Sequence, residues 1–200
     1  MRHRDPGEVF FAKSSRPAVD SLLPPPFIEP MHALFNLFLD ICLFRKGPQD
    51  IPASAVLMKL CLLAYGTSGF LVLLLGAPAP VALLQILLDL LLLAGLLYWI
   101  LLLSRHPGRF EQTLTALTGA GALIALLALP LMHWIVRQGP GGDAVLPSLL
   151  MLGLMFWSIA IVAHILRHAL DTTIWTGASY ALGYTLLSWT LAGWLGPQTG

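Results

Sequence analysis

Asp89 is the one acidic residue set deep inside an apolar run, VALLQILLDLLLLAGLLYWILLL. A carboxylate in hydrocarbon costs about 3 kcal/mol, so it must face other helices, be paired or be protonated. Gln85 lies one turn away on the same face and extends the polar stripe. Thr67, Ser68 and Ser188 fall near the same depth in neighbouring stretches and offer hydroxyl partners. Two chemistries follow: a proton or cation site, or a neutral carboxyl that hydrogen-bonds helices together. The second needs no further acid or base, and no deep basic partner is present.

His164, His168 and Asp171 form a second group, at i, i+4 and i+7 on one helical face. Two histidines one turn apart can share a metal, with a carboxylate to complete the set. Against this, HExxH is missing and Arg167 adds a repelling charge. Asp171 also suits an N-cap for a helix starting at Thr172-Thr173. Interfacial anchoring and capping are therefore favoured over metal binding. His133 reads as a hydrogen-bonding group, and Lys59 as a side chain that snorkels to the surface, too far along the axis to pair with Asp89. A nucleophile elbow, a P-loop, a dinucleotide fingerprint and a zinc quartet are all missing. No catalytic residue, cofactor or metal is expected, and no basic surface supports nucleic-acid binding.

Few elements can position such residues here. The chain is 57% hydrophobic and 10% charged, with a mean hydropathy of +0.80. Soluble domains carry about a quarter charged residues. Residues 54–196 break into five apolar stretches, Ser54–Leu75, Val81–Leu103, Thr113–Val136, Ala144–Leu170 and Thr173–Leu195. About twenty apolar residues cross a bilayer as a helix that satisfies its own backbone. The expected fold is all-α: a polytopic membrane protein with five transmembrane helices. Short connections imply antiparallel neighbours.

An amphipathic helix precedes them within a cytoplasmic segment, residues 31–53. Leu34, Leu37, Phe38, Ile41 and Phe44 form its apolar stripe, and His32, Asn36 and Asp40 its polar one. Arg45 and Lys46 suit its C-terminal dipole, and Gly47-Pro48 should stop it. At about fourteen residues it should lie in the interface plane against lipid headgroups, or pack on the end of the bundle. Residues 1–30, with a triple proline and no periodicity, read as a disordered tail or as an extension upstream of a true start at Met31. Residues 197–200 form a short external tail. Cys42 and Cys61 read as unpaired small apolar residues.

Orientation follows from Lys and Arg. From Met31 onward, Arg45, Lys46, Lys59, Arg105, Arg109 and Arg167 fall on one side and Arg137 alone on the other. The N-terminus should be cytoplasmic and the C-terminus outside. Small residues should mark helix contacts, among them Gly66, Gly69, Ala120 and Gly121, and on the last span Gly177, Ser179, Ala181 and Gly183, with Ser179/Gly183 as the contact pair. Trp134, Trp175 and Trp194 should anchor helix ends at the headgroups.

The lead-in that ends in Arg45-Lys46-Gly47-Pro48 just before the first span resembles the Gly-Pro motif of the Yip (Ypt-interacting protein) domain family. The passage Trp157 to Gly183, with its Leu166-Arg167-His168-Ala169-Leu170 turn, is similar to bacterial members. The resemblance covers most of residues 31–196 and implies five spans with a cytoplasmic N-terminal segment. Eukaryotic relatives act with small GTPases in vesicle traffic, a role that needs a longer cytoplasmic domain. The resulting expectation is a non-enzymatic interaction or membrane-organising subunit, with lipids, a protein partner and a second copy of itself as partners. The alternative is a small transporter or channel subunit with Asp89 as its proton or ion site.

Overall fold

The computed structural model describes residues 28–138 and 144–195. Among them every regular element is helical: α1 (Ile28–Cys42), α2 (Ala55–Leu74), α3 (Ala79–Leu103), α4 (Phe110–Gln138), α5 (Val145–Leu170) and α6 (Ile174–Leu195). Short 3-10 turns at Pro48–Asp50 and Pro107–Arg109 precede α2 and α4. The five long helices begin and end within about three residues of the apolar stretches read from sequence, because Gly, Pro and charge interrupt the runs there. Ser54 caps α2, its Oγ accepting the Leu57 N–H at 3.4 Å. Pro130 is absorbed within α4, which continues through it. The reading of residues 1–30 lies, for 1–27, outside the described residues, as does that of 197–200.

Three helix ends close alike on non-glycine residues in the left-handed region: Phe44 (φ 61°), Arg105 (φ 61°) and Asp171 (φ 50°). In each the following N–H reaches back five residues: Arg45 to the Asp40 carbonyl at 2.8 Å, His106 to Leu101 at 2.9 Å, Thr172 to Arg167 at 3.1 Å. The closure satisfies an orphan carbonyl, against a backbone cost of about 1–2 kcal/mol. The stop of α1 is therefore Phe44 and not Gly47. Gly47 instead donates its N–H to Asp50 Oδ2 at 2.9 Å, in the 3-10 turn.

The five long helices close into a ring in the order α2, α3, α6, α5, α4, each touching the next and α4 returning to α2. Gly66 meets Leu90 and Gly69 meets Ile86, so α2 and α3 run antiparallel. Tyr65 meets Gly121, and Gly76, just past α2, meets Met132. Those contacts are eleven residues apart along both chains, which makes α2 and α4 parallel. The expectation of antiparallel sequence neighbours thus fails at one place: α4 packs on α2, and only slightly on α3. The reason is steric, since Gly121 admits the Tyr65 ring against the α4 backbone.

α1 lies on α4 and α5 at one end of the ring. Its Phe38 and Ile41 are buried, and the Phe38 ring rests on Gly119, where a Cβ would collide with it. His32 and Asn36 stay exposed, and Asp40 pairs with Lys46 at 3.1 Å. The Trp157 indole N–H donates to the Cys42 carbonyl at 3.1 Å, and Gln112 Nε2 to that of Ile51 at 2.9 Å. This end is the dense core: α4 is buried all round from Thr113 to Ala120. Its buried threonine hydroxyls donate to their own helix, Thr113 to the Arg109 carbonyl at 2.8 Å and Thr118 to that of Leu114 at 2.8 Å. Cys42 and Cys61 are free and buried. Burial pushes the Cys42 thiol up to about 11, which keeps it protonated and unreactive at neutral pH.

Four helices are long and apolar enough to cross a membrane: α2, α3, α4 with its lead-in turn, and α5. The 22-residue α6 has the length, but its Thr, Ser, Gly and Tyr residues lower its hydropathy. The outer surface carries Leu63, Leu91, Leu103 and Phe156, all more than 60% exposed, which suits a membrane and not water. Trp134, Trp175 and Trp194 are exposed near helix ends. The small-residue contact on α6 differs from the expected one. Ser179 and Gly183 face outward, and Gly183 has nothing within 4 Å of a Cβ position. The buried pair is Gly177 and Ala181, with Gly177 against the Ala163 carbonyl of α5. Two residues of offset is about 200° around a helix, and composition does not choose between the faces.

Candidate functional site

Asp89 sits midway along α3, half-buried, on the face turned to α2 and α6. Three hydroxyls donate to its carboxylate. Tyr65 of α2 reaches Oδ2 at 2.6 Å. Tyr184 and Ser188, one turn apart on α6, both reach Oδ1 at 2.7 Å. Tyr65 can lie across α4 only because residue 121 is glycine: a Cβ there would stand 2.7 Å from Tyr65 Cε2. One turn from Asp89, Gln85 Nε2 donates to the Ala192 carbonyl at 3.3 Å, a second tie between α3 and α6.

These side chains border a cavity of about 450 Å³ inside the ring. It runs from the level of Leu117 and Ile165 to that of Ala128 and Ala192, with walls from all five long helices. Its polar lining is Tyr65, Gln85, Asp89, Ser158, Tyr184 and Ser188, and no Lys, Arg or His contributes to it. The Ser158 hydroxyl is committed to its own helix, donating to the Met155 carbonyl at 2.7 Å. A second apolar groove of about 450 Å³ shares Ile124, Ala128 and Trp189 with the cavity, so these residues form a common wall.

The structure brings together Asp89, Gln85 and Ser188, as their depths implied. Thr67 and Ser68 do not join them. Thr67 Oγ1 donates to the Leu63 carbonyl at 2.8 Å and Ser68 Oγ to that of Tyr65 at 3.2 Å. Sequence reasoning missed both tyrosines. The Gly66–Leu90 contact sets Tyr65 opposite Asp89 across the hairpin, and Tyr184 precedes Ser188 by one turn. The i, i+4 pair was the available signal.

The second group divides. His164 and His168 do meet, ring centroids 4.6 Å apart. His164 Nε2 lies 3.1 Å from the Lys46 carbonyl, and its ring meets Phe44 edge-on at 5.3 Å. Asp171 turns away and pairs with Arg109 at 2.8 Å. The Arg109 guanidinium also donates to the carbonyls of His168 (3.3 Å) and Ala169 (3.0 Å), capping the end of α5. Asp171 is thus the left-handed closing residue of α5 and not the N-cap of α6. That cap is Thr173, whose Oγ1 accepts the Thr176 N–H at 3.4 Å. Among the described residues no three His, Cys, Asp or Glu side chains cluster to hold a metal. Lys59 and His133 are both exposed.

Comparisons with family models, with curated proteins and with solved structures find no match for this chain.

Proposed function

We infer that this chain is a small, non-enzymatic integral membrane protein acting as a transporter or channel subunit, with Asp89 as its proton or ion site. One observation carries the reading: a lone carboxylate borders a cavity of about 450 Å³ to which no basic residue contributes. In a low dielectric such a charge takes up a proton or a cation. Three hydroxyl donors, Tyr65, Tyr184 and Ser188, hold the carboxylate in place at the cavity wall. In this reading α6 is the fifth span, tied into the ring through Tyr184 and Ser188. The Lys and Arg distribution argues for a cytoplasmic N-terminus and an external C-terminus, and the resemblance to bacterial Yip members for a bacterial inner membrane with that C-terminus periplasmic. The decisive comparison is between Asp89→Asn and deletion of the gene. The variant is expected to insert and fold normally yet behave like the deletion, and wild-type behaviour would remove the reading.

A second reading, an interaction or membrane-organising subunit of Yip type, is favoured by α1. The helix is docked by Phe38 and Ile41 and leaves His32, Phe35 and Asn36 exposed at the end of the bundle. Lipid headgroups, a protein partner and a second copy of the chain are its candidate partners. Loss of function on Phe35→Ser with Asn36→Ser, together with normal function of Asp89→Asn, would put this reading first.

A further inference from the structure

We propose that the Asp89 cavity takes a hydrophobic organic monocation, which displaces a proton from the carboxyl and reaches it sideways past Trp189. This rests on Asp89 being the proton or ion site.

Acceptor capacity limits what the carboxylate can take. Oδ1 already accepts from Tyr184 and Ser188, whereas Oδ2 accepts only from Tyr65. A carboxylate oxygen offers about two acceptor positions, so one remains, on Oδ2. It can hold one proton or face one positive charge, and not both. A bare divalent ion requires about six oxygen ligands and a balancing negative charge, and Asp89 is the one carboxylate in a lining that is otherwise largely apolar. A cation with its charge spread over an apolar body needs no such shell. The remaining walls suit it: Leu, Ile, Val and Ala side chains, with the aromatic residues Tyr65, Tyr184 and Trp189 among them. The volume falls within the ~300–1,000 Å³ usual for small-molecule sites. Trp189 belongs at once to the cavity and to the adjoining apolar groove and is 60% exposed, so it lies on the short route from the lipid side.

The exchange balances: the protonated carboxyl and the cation give the carboxylate–cation pair and one released proton. The titratable groups facing Asp89 are Tyr65 from α2 and Tyr184 from α6, and α4 and α5 contribute none to the lining.

The test uses the purified full chain in detergent, with tetraphenylphosphonium as the probe and the Asp89 carboxyl infrared band followed separately. Saturable binding of one probe per chain is expected, with one proton released. Affinity should fall about tenfold per pH unit below the carboxyl's titration. Asp89→Asn should abolish binding and release, while Asp40→Asn, outside the cavity, keeps both. Ala125→Leu narrows the cavity without touching the carboxyl. It should weaken binding at least tenfold while the infrared titration persists, which keeps the test decisive if Asp89→Asn does not fold. A carboxyl that titrates but is unaffected by the probe would overturn the organic cation and leave the proton site standing. A carboxyl that neither titrates nor responds would overturn both. Binding retained in Asp89→Asn would show partition into detergent and overturn the proposal.

Discussion

At Asp89 the two carboxylate oxygens do different jobs: Oδ1 binds α6 twice, while Oδ2 binds α2 once. An asparagine can keep its carbonyl toward Tyr184 and Ser188 and offer its amide to Tyr65, whose hydroxyl then rotates to accept. Asp89→Asn should therefore lower stability in detergent by only about 1 kcal/mol. Asp89→Leu strands three half-buried hydroxyls and should cost about 3 kcal/mol. Tyr184→Phe and Tyr65→Phe should each cost about 1 kcal/mol in the wild type and clearly less beside Asp89→Leu, which has already removed their partner. Thermal melts of the double-mutant cycle measure this, and strict additivity would mean the hydroxyls do not bond to the carboxylate. Hydrogen bonding was favoured over a proton site on sequence alone, where an isolated acid among apolar residues has no visible cavity beside it. In the folded chain Asp89 lines a cavity, and that is the ground on which the proton or ion site is proposed.

Between α5 and α6 the contact depends on which face of α6 is turned inward. Gly177 puts its Cα against the Ala163 carbonyl, and a Cβ there would lie 2.5 Å from that oxygen. Backbone cannot move aside as a side chain does, so Gly177→Ala should destabilise by about 1–3 kcal/mol. Gly183 has open space, and Gly183→Ala should stabilise by up to about 1 kcal/mol through the helix preference of alanine. Equal effects at the two positions in thermal melts would show that α6 is rotated from this register.

For the molecule as a whole, ring closure and topology are separate matters. Closure rests on α3 meeting α6, two helices far apart in the chain. Cysteines replacing Gln85 and Ala192, in a background with Cys42 and Cys61 changed to serine, should cross-link in native membranes. A pair at Leu91 and Leu186, both more than 60% exposed on the outer surface, should not. Topology rests on the six-to-one distribution of Lys and Arg. Reporter fusions at Gly108 and Gly200 should lie on opposite sides of the membrane, and a shared side would exclude α6 as a fifth span.

Helix limits were legible in the sequence because long apolar runs and Gly-Pro breaks act locally. Ser54, Pro80 and Pro107 start or lead into helices whatever surrounds them. Asp89 was legible too, since a carboxylate in an apolar run is costly before any partner is known. Its partners were not. Hydropathy repeats along one dimension and reports how deep a side chain lies, so Thr67 and Ser68 looked as suitable as Ser188. Which helix faces which is settled by shape: Gly121 beneath the Tyr65 ring, Gly177 against the Ala163 carbonyl, Phe38 over Gly119. Those close approaches set the rotation and neighbours of each helix. The cavity at Asp89 is the space they leave unfilled, which no single helix encodes.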